Sequence, residues 1–115
     1  MEKVTQKSVR EYLKLKLSTD ESWATRALIK IYEHQTEEEK RLEQTQHWNG
    51  IGFNAFDANI LSGIATFYLK TNKLTAKQKE IVFKKIPRYW KQVEQISNKN
   101  ILHNNIKKHL TSLHT

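Results

Sequence analysis

Residues 18–32 decide the fold: Ser18-Thr19-Asp20-Glu21-Ser22-Trp23-Ala24-Thr25-Arg26-Ala27-Leu28-Ile29-Lys30-Ile31-Tyr32. The hydroxyls and carboxylate at 18–20 offer acceptors to the free N–H groups of a starting helix, and Glu21 adds an acid to its first turn. Trp23, Ala27, Leu28, Ile31 and Tyr32 then recur at i, i+4, i+5, i+8 and i+9. A stripe that broad, at helical period, places this helix at the centre of a core.

The same period extends both ways. Val9, Tyr12, Leu13 and Leu17 predict a helix with a narrow buried face from near Thr5 to about Leu17. Downstream, Thr36 and Glu39 fit a capping box, so a surface helix is expected from Glu37 to about Thr45, either separate or a kinked continuation of its predecessor. Residues 46–53 hold two glycines and an Asn-Gly pair and read as a loop. Phe53, Phe56, Ile60, Ile64, Phe67 and Tyr68 predict a helix over roughly Ala55 to Lys70, with Asn54 as its cap and Gly63 near its middle. Asn72 suits a left-handed C-cap, Thr75 to Gln78 is a second capping box, and the helix that follows runs to about Ile86. There Pro87 either kinks the chain or begins a further helix in its first turn. After the polar break at 97–100, Leu102, Ile106, Leu110 and Leu113 predict a last amphipathic helix over 101–113. No strand pattern, linker or internal repeat interrupts this. The expected fold is all-α: a single compact bundle of five to seven helices, with a core domain over 1–98 and a C-terminal helix over 99–115 packed on it or extending from it.

Composition narrows function. At 115 residues with 37% hydrophobic and 10% aromatic content, the chain can bury one core. The absence of cysteine excludes disulfides, thiolate metal sites, iron–sulfur clusters and a cysteine nucleophile, and makes the cytoplasm the default compartment. The longest nearly uncharged run, Trp48 to Leu69, contains Asn49, Asn54, Asp57 and Asn59 and is no bilayer span. The first seven residues hold no apolar signal core.

Charge is unevenly distributed. The formal net charge is +8, yet residues 1–69 carry nine basic and ten acidic side chains, whereas residues 70–115 carry eleven basic against Glu80 and Glu94 alone. A field of one sign over part of a small domain favours polyanions through steering and counterion release. On a continuous helical projection with Lys77 at zero, Lys84, Arg88 and Lys91 fall within about 40° of it, while Val82, Phe83, Ile86, Tyr89, Trp90, Val93 and Ile96 share the opposite arc with Lys79. That ladder can face phosphates, with Lys73, Lys85, Lys107 and Lys108 contributing. The bland alternative is a solvated lysine face of an ordinary amphipathic helix. A membrane-surface role is the weaker use of the pattern, because the aromatic side is needed as a core wall.

Catalytic signatures are missing. The five histidines form no i, i+4 pair and no His-Glu-x-x-His run, so no metal is expected. No glycine-rich phosphate loop or nucleophile elbow occurs, and no cofactor is implied. The chain reads as a non-enzyme. The loop residues Trp48, Asn49, Phe53, Asn54 and Asp57 can shape a polar-aromatic site. Alternatively the aromatics Trp48, Phe53 and Phe56 plug the core and Asp57 complements a helix dipole. Trp48 is the aromatic best placed to be exposed and to stack on a base.

Three stretches also carry a resemblance: Trp23-Ala24-x-x-Ala27-Leu28-x-x-Ile31-Tyr32-x-x-Gln35-Thr36; Asn49-Gly50-Ile51-Gly52-Phe53-x-x-x-Asp57-Ala58-x-Ile60-Leu61-Ser62; and Leu74-Thr75-x-x-Gln78 with Tyr89-x-x-Gln92. Over about residues 20 to 95 they resemble a small helical domain of bacteriophage and mobile-element proteins, which stands alone or is appended to helicases. The resemblance implies a phage or mobile-element setting in a bacterial host and association with DNA-handling machinery, and supplies no catalytic residues. Two functions follow as expectations. One is a nucleic-acid-binding accessory protein of weak sequence specificity, acting on nucleic acid or a nucleoprotein complex. The other is an anti-CRISPR-like inhibitor of a host-defence nucleoprotein complex, acting by protein contact. A structural homodimer through the last helix is a third.

Overall fold

Short polar side chains start most of the helices. The structure, a computed structural model, describes residues 3–42 and 51–113, with side chains over 3–37 and 51–112. Thr5 and Ser8 cap α1 (Gln6–Thr19) reciprocally, the Ser8 N–H donating to Thr5 Oγ1 at 3.1 Å and the Thr5 N–H to Ser8 Oγ at 2.7 Å. Asp20 accepts from the Trp23 N–H at the start of α2 (Glu21–Leu42). α3 (Ala58–Thr71) ends on Asn72, left-handed at φ 62, whose N–H reaches the Tyr68 carbonyl at 2.7 Å. Thr75 and Gln78 form the capping box of α4 (Ala76–Lys85). A 3₁₀ turn (Ile86–Tyr89) with Pro87 in its first positions leads to α5 (Trp90–Ile96), and α6 is Lys99–Leu113. The described residues contain six α-helices and no strand, an all-α bundle.

At Thr36 the structure takes the second expected course: α2 continues, and the Thr36 hydroxyl donates to the Tyr32 carbonyl inside the helix. Glu37 to Leu42 are strong helix formers with no breaker before them, so the capping-box pattern at 36–39 marks no start. Two other boundaries differ from the sequence reading. α3 begins at Ala58 because 54–57 form a turn, with the Asp57 N–H donating both to the Asn54 carbonyl and to Asn54 Oδ1. α6 begins two residues early, capped by Asn98, which accepts from the Ile101 N–H.

The core is one cluster. Leu13 and Leu17 of α1 meet Leu28 and Ile31 of α2, Ile51, Leu61 of α3, Val82, Ile86, Val93, and Leu102 and Ile106 of α6. α1 packs against α2, α4, the 3₁₀ turn, α5 and α6, and so shares the centre that the sequence pattern gives to α2 alone. α6 enters the core through α1, where His109 stands edge-on to the Tyr12 ring. α3 rests chiefly on α2, with Ile60 and Phe67 on a partly exposed side.

Candidate nucleic-acid interface and the loop beside it

The segment 51–57 is held from within by side chains of two distant helices. Gln92 of α5 grips Gly52 with both ends of its amide, accepting from the Gly52 N–H at 2.9 Å and donating to its carbonyl at 3.0 Å. Gln35 of α2 accepts from the Phe53 N–H at 2.8 Å and extends its amide nitrogen toward Ser62 Oγ at 3.5 Å. A Cβ at position 52 would lie 3.3 Å from Gln35 Oε1, so glycine permits this approach. Tyr89 completes the clamp: its hydroxyl accepts from the Asn54 N–H at 3.1 Å and donates to Asp57 Oδ2 at 2.8 Å. Lys85 Nζ donates to Asp57 Oδ1 at 3.0 Å.

Asp57 is only 2% exposed. Burial alone pushes its carboxyl up, but hydrogen bonds from Lys85 and Tyr89, with the charges of Lys85 and Arg88, outweigh burial and hold it below its ordinary value. Tyr89 moves the other way: burial first, and then the Asp57 carboxylate it bonds, push its phenol up to about 12. The polar groups of this cluster satisfy one another, leaving no free acid or base facing a cavity.

Phe53 is buried, edge-on to the Tyr89 ring, and takes the core-plug alternative rather than the open site; the expectations for Asp57 and Lys85 are corrected. Asp57 neither opens onto a site nor caps α3 with its side chain, since Lys85 and Tyr89 take both carboxylate oxygens. Lys85 is correspondingly withdrawn from the basic ladder, its side chain 27% exposed and paired. Asn54 is exposed, while its backbone and side chain build the turn. Trp48 and Asn49 lie outside the described residues. The most exposed aromatic among those described is Phe56, at 95%. Period alone, which placed Phe56 in the helix, missed it because the turn at 54–57 breaks the phase.

The remaining cations divide by helix. Lys77, Lys84, Arg88 and Lys91 are exposed, and none forms an ion pair with a described carboxylate. Lys91 Nζ lies 5.8 Å from the centre of the Trp90 ring. Lys79, on the other side of α4, pairs with Glu21 of α2 at 3.3 Å. The expected single line is not straight. A 3₁₀ turn winds about 20° further per residue than an α-helix, so four residues shift Lys91 about 80° from its place on a continuous helix, from about 40° on one side of Lys77 to about 40° on the other. The cations form a band that turns at Arg88. Lys107 and Lys108 are exposed on α6, whose main neighbour is α1. Lys73 lines a cleft of about 540 Å³ between α2 and the α3–α4 connection, where Arg26 and Lys30 join it. These two come from the half of the chain whose charges balance, and only folding reveals them as neighbours of Lys73.

Among the described residues no three His, Asp or Glu side chains gather as a metal site, and no helix is long and apolar enough to cross a membrane. No protein-family model, curated protein or solved structure matches the chain.

Proposed function

We propose that this protein is a non-enzymatic accessory factor that binds nucleic acid, or a nucleoprotein complex, through the exposed cations of α4, the 3₁₀ turn and α5. The observation that carries this is a contrast within one segment. Lys79 and Lys85 have carboxylate partners, whereas Lys77, Lys84, Arg88 and Lys91 point to solvent with none among the described residues. Unpaired cations concentrated on one segment repel one another, and a polyanion relieves that repulsion while releasing its counterions. Among the described residues no recognition helix aimed by a partner helix is seen beside them, and the amide of Gln78 is engaged in capping with Thr75, so backbone contact of weak sequence specificity fits best.

The test is fluorescence anisotropy with labelled DNA and RNA oligonucleotides at low salt. The Lys84→Glu, Arg88→Glu, Lys91→Glu variant is expected to lose at least tenfold in affinity, and unchanged affinity removes the proposal. A second reading, inhibition of a host-defence nucleoprotein complex by protein contact, draws support from the partly exposed Ile60 and Phe67 on α3. It predicts capture of a defined defence protein that survives nuclease treatment.

A further inference from the structure

Phe56 forgoes burial altogether, at the end of an exposed stretch, 54–56, between the buried Phe53 and Asp57. Its flanks explain how. Phe53 is fixed in the core against Tyr89, and Asp57 is drawn inward by Lys85 and Tyr89. The turn closes between them through the Asp57 and Ala58 N–H groups on the Asn54 carbonyl. The ring is therefore held out by a braced turn, where an aromatic loses little conformational entropy on meeting a flat partner.

Its surroundings identify that partner. Phe56 adjoins Asp57, whose carboxylate lies 3.0 Å from Lys85 Nζ. Lys85 in turn follows the exposed Lys84 and precedes the exposed Arg88 by three residues. Arg88 is near enough for its charge to act on the Asp57 carboxylate. An outward aromatic thus leaves the chain next to the carboxylate that joins this turn to the cationic segment, where Lys84 and Arg88 are exposed and form no ion pair with a described carboxylate. A ligand that offers an unpaired π-face and negative charge on the same short length matches both, and an unstacked nucleotide has this composition. A duplex offers the charge but keeps its bases stacked inside.

We infer that the partner is a single-stranded nucleic acid, with one base stacked on Phe56 and the adjoining phosphates on Lys84 and Arg88. This rests on the polyanion reading above and adds the strand state and the residue that selects it. Every base has a π-face, so the contact discriminates strand state and tolerates sequence.

The experiment compares a fluorescein-labelled thymidine oligonucleotide with a labelled duplex of equal length, titrated with the full chain. Phe56→Ala is expected to weaken single-strand binding roughly 5- to 150-fold, the range spanned by removal of one stacked base. Phe56→Tyr is expected to restore it, with duplex binding and thermal melting unchanged in both variants. Equal weakening on both probes, or none on either, overturns the inference while leaving polyanion binding in place. Capture of the wild type by neither probe overturns both. A Phe56→Ala loss of a protein partner with single-strand affinity intact assigns the ring to protein contact and also overturns it.

Discussion

The clamp around 51–57 and the cationic band of 77–91 share the same helices but have opposite physical character. In the clamp, part-buried amides and an ammonium and a buried phenol and carboxylate satisfy one another, so each group is tied to stability. In the band, the ends of Lys77, Lys84, Arg88 and Lys91 form no ion pair with a described carboxylate, so folding gains little from them. Lys84 and Lys85 show the difference between neighbours in sequence. One is exposed and unpaired, the other is committed to Asp57. Residue type alone does not separate the two roles; partnership does.

That separation is broken most severely by Asp57→Ala. It strands the Tyr89 hydroxyl and the Lys85 ammonium, and urea unfolding is expected to show a loss of about 2–4 kcal/mol, below the upper range for a pair buried at both ends because Lys85 remains partly exposed. Oligonucleotide affinity should hold or tighten slightly as Lys85 is released. Alkaline titration probes the same cluster. Tyr89 keeps its proton in the folded chain up to about 12 while the unfolded chain loses it near 10, so stability present below pH 10 is lost as pH rises from 10 to 12. The loss should approach roughly 2–3 kcal/mol, and Tyr89→Phe should abolish this part of it. Asp57 acts at the other end, its contribution present above pH 4 and lost as pH falls through its lowered value.

Gln92→Ala removes both bonds to Gly52 and should cost about 1–3 kcal/mol, again without changing affinity. Gly63→Ala sharpens the comparison from outside both regions: a Cβ there meets nothing within 4 Å, so the change should stabilise α3 by up to about 1 kcal/mol in thermal melting. The smallest stability effect is expected from Lys84, Arg88 and Lys91, where single substitutions should stay within about 0.5 kcal/mol while binding falls.

The helical architecture was legible because period, caps and breakers are local. Thr5, Asp20, Asn72 and Thr75 act at the termini near which their chemistry places them. Thr36 leaves two courses open for the same reason, since a capping-box pattern is also compatible with mid-helix. The cations were legible as composition, but their sorting into paired and unpaired depends on contacts across 28 or more residues, such as Lys85 to Asp57, which no spacing rule encodes. Gln35, Gly52, Asp57, Tyr89 and Gln92 are scattered through the stretches that carry the resemblance, and no spacing rule joins them. What they build is a buried clamp, and the residue it displays, Phe56, was read as helix because hydrophobic spacing ran unbroken through the turn.

Salt dependence of single-strand binding by the wild type and by a Lys84→Gln, Arg88→Gln, Lys91→Gln variant addresses the polyanion reading directly. Each phosphate contact on a single strand contributes about 0.7 to the slope of log affinity against log salt concentration. The account predicts a steep negative slope for the wild type that becomes shallower by about 2 in the variant, with the unfolding midpoint preserved. Parallel slopes, or a wild-type affinity indifferent to salt, would contradict it.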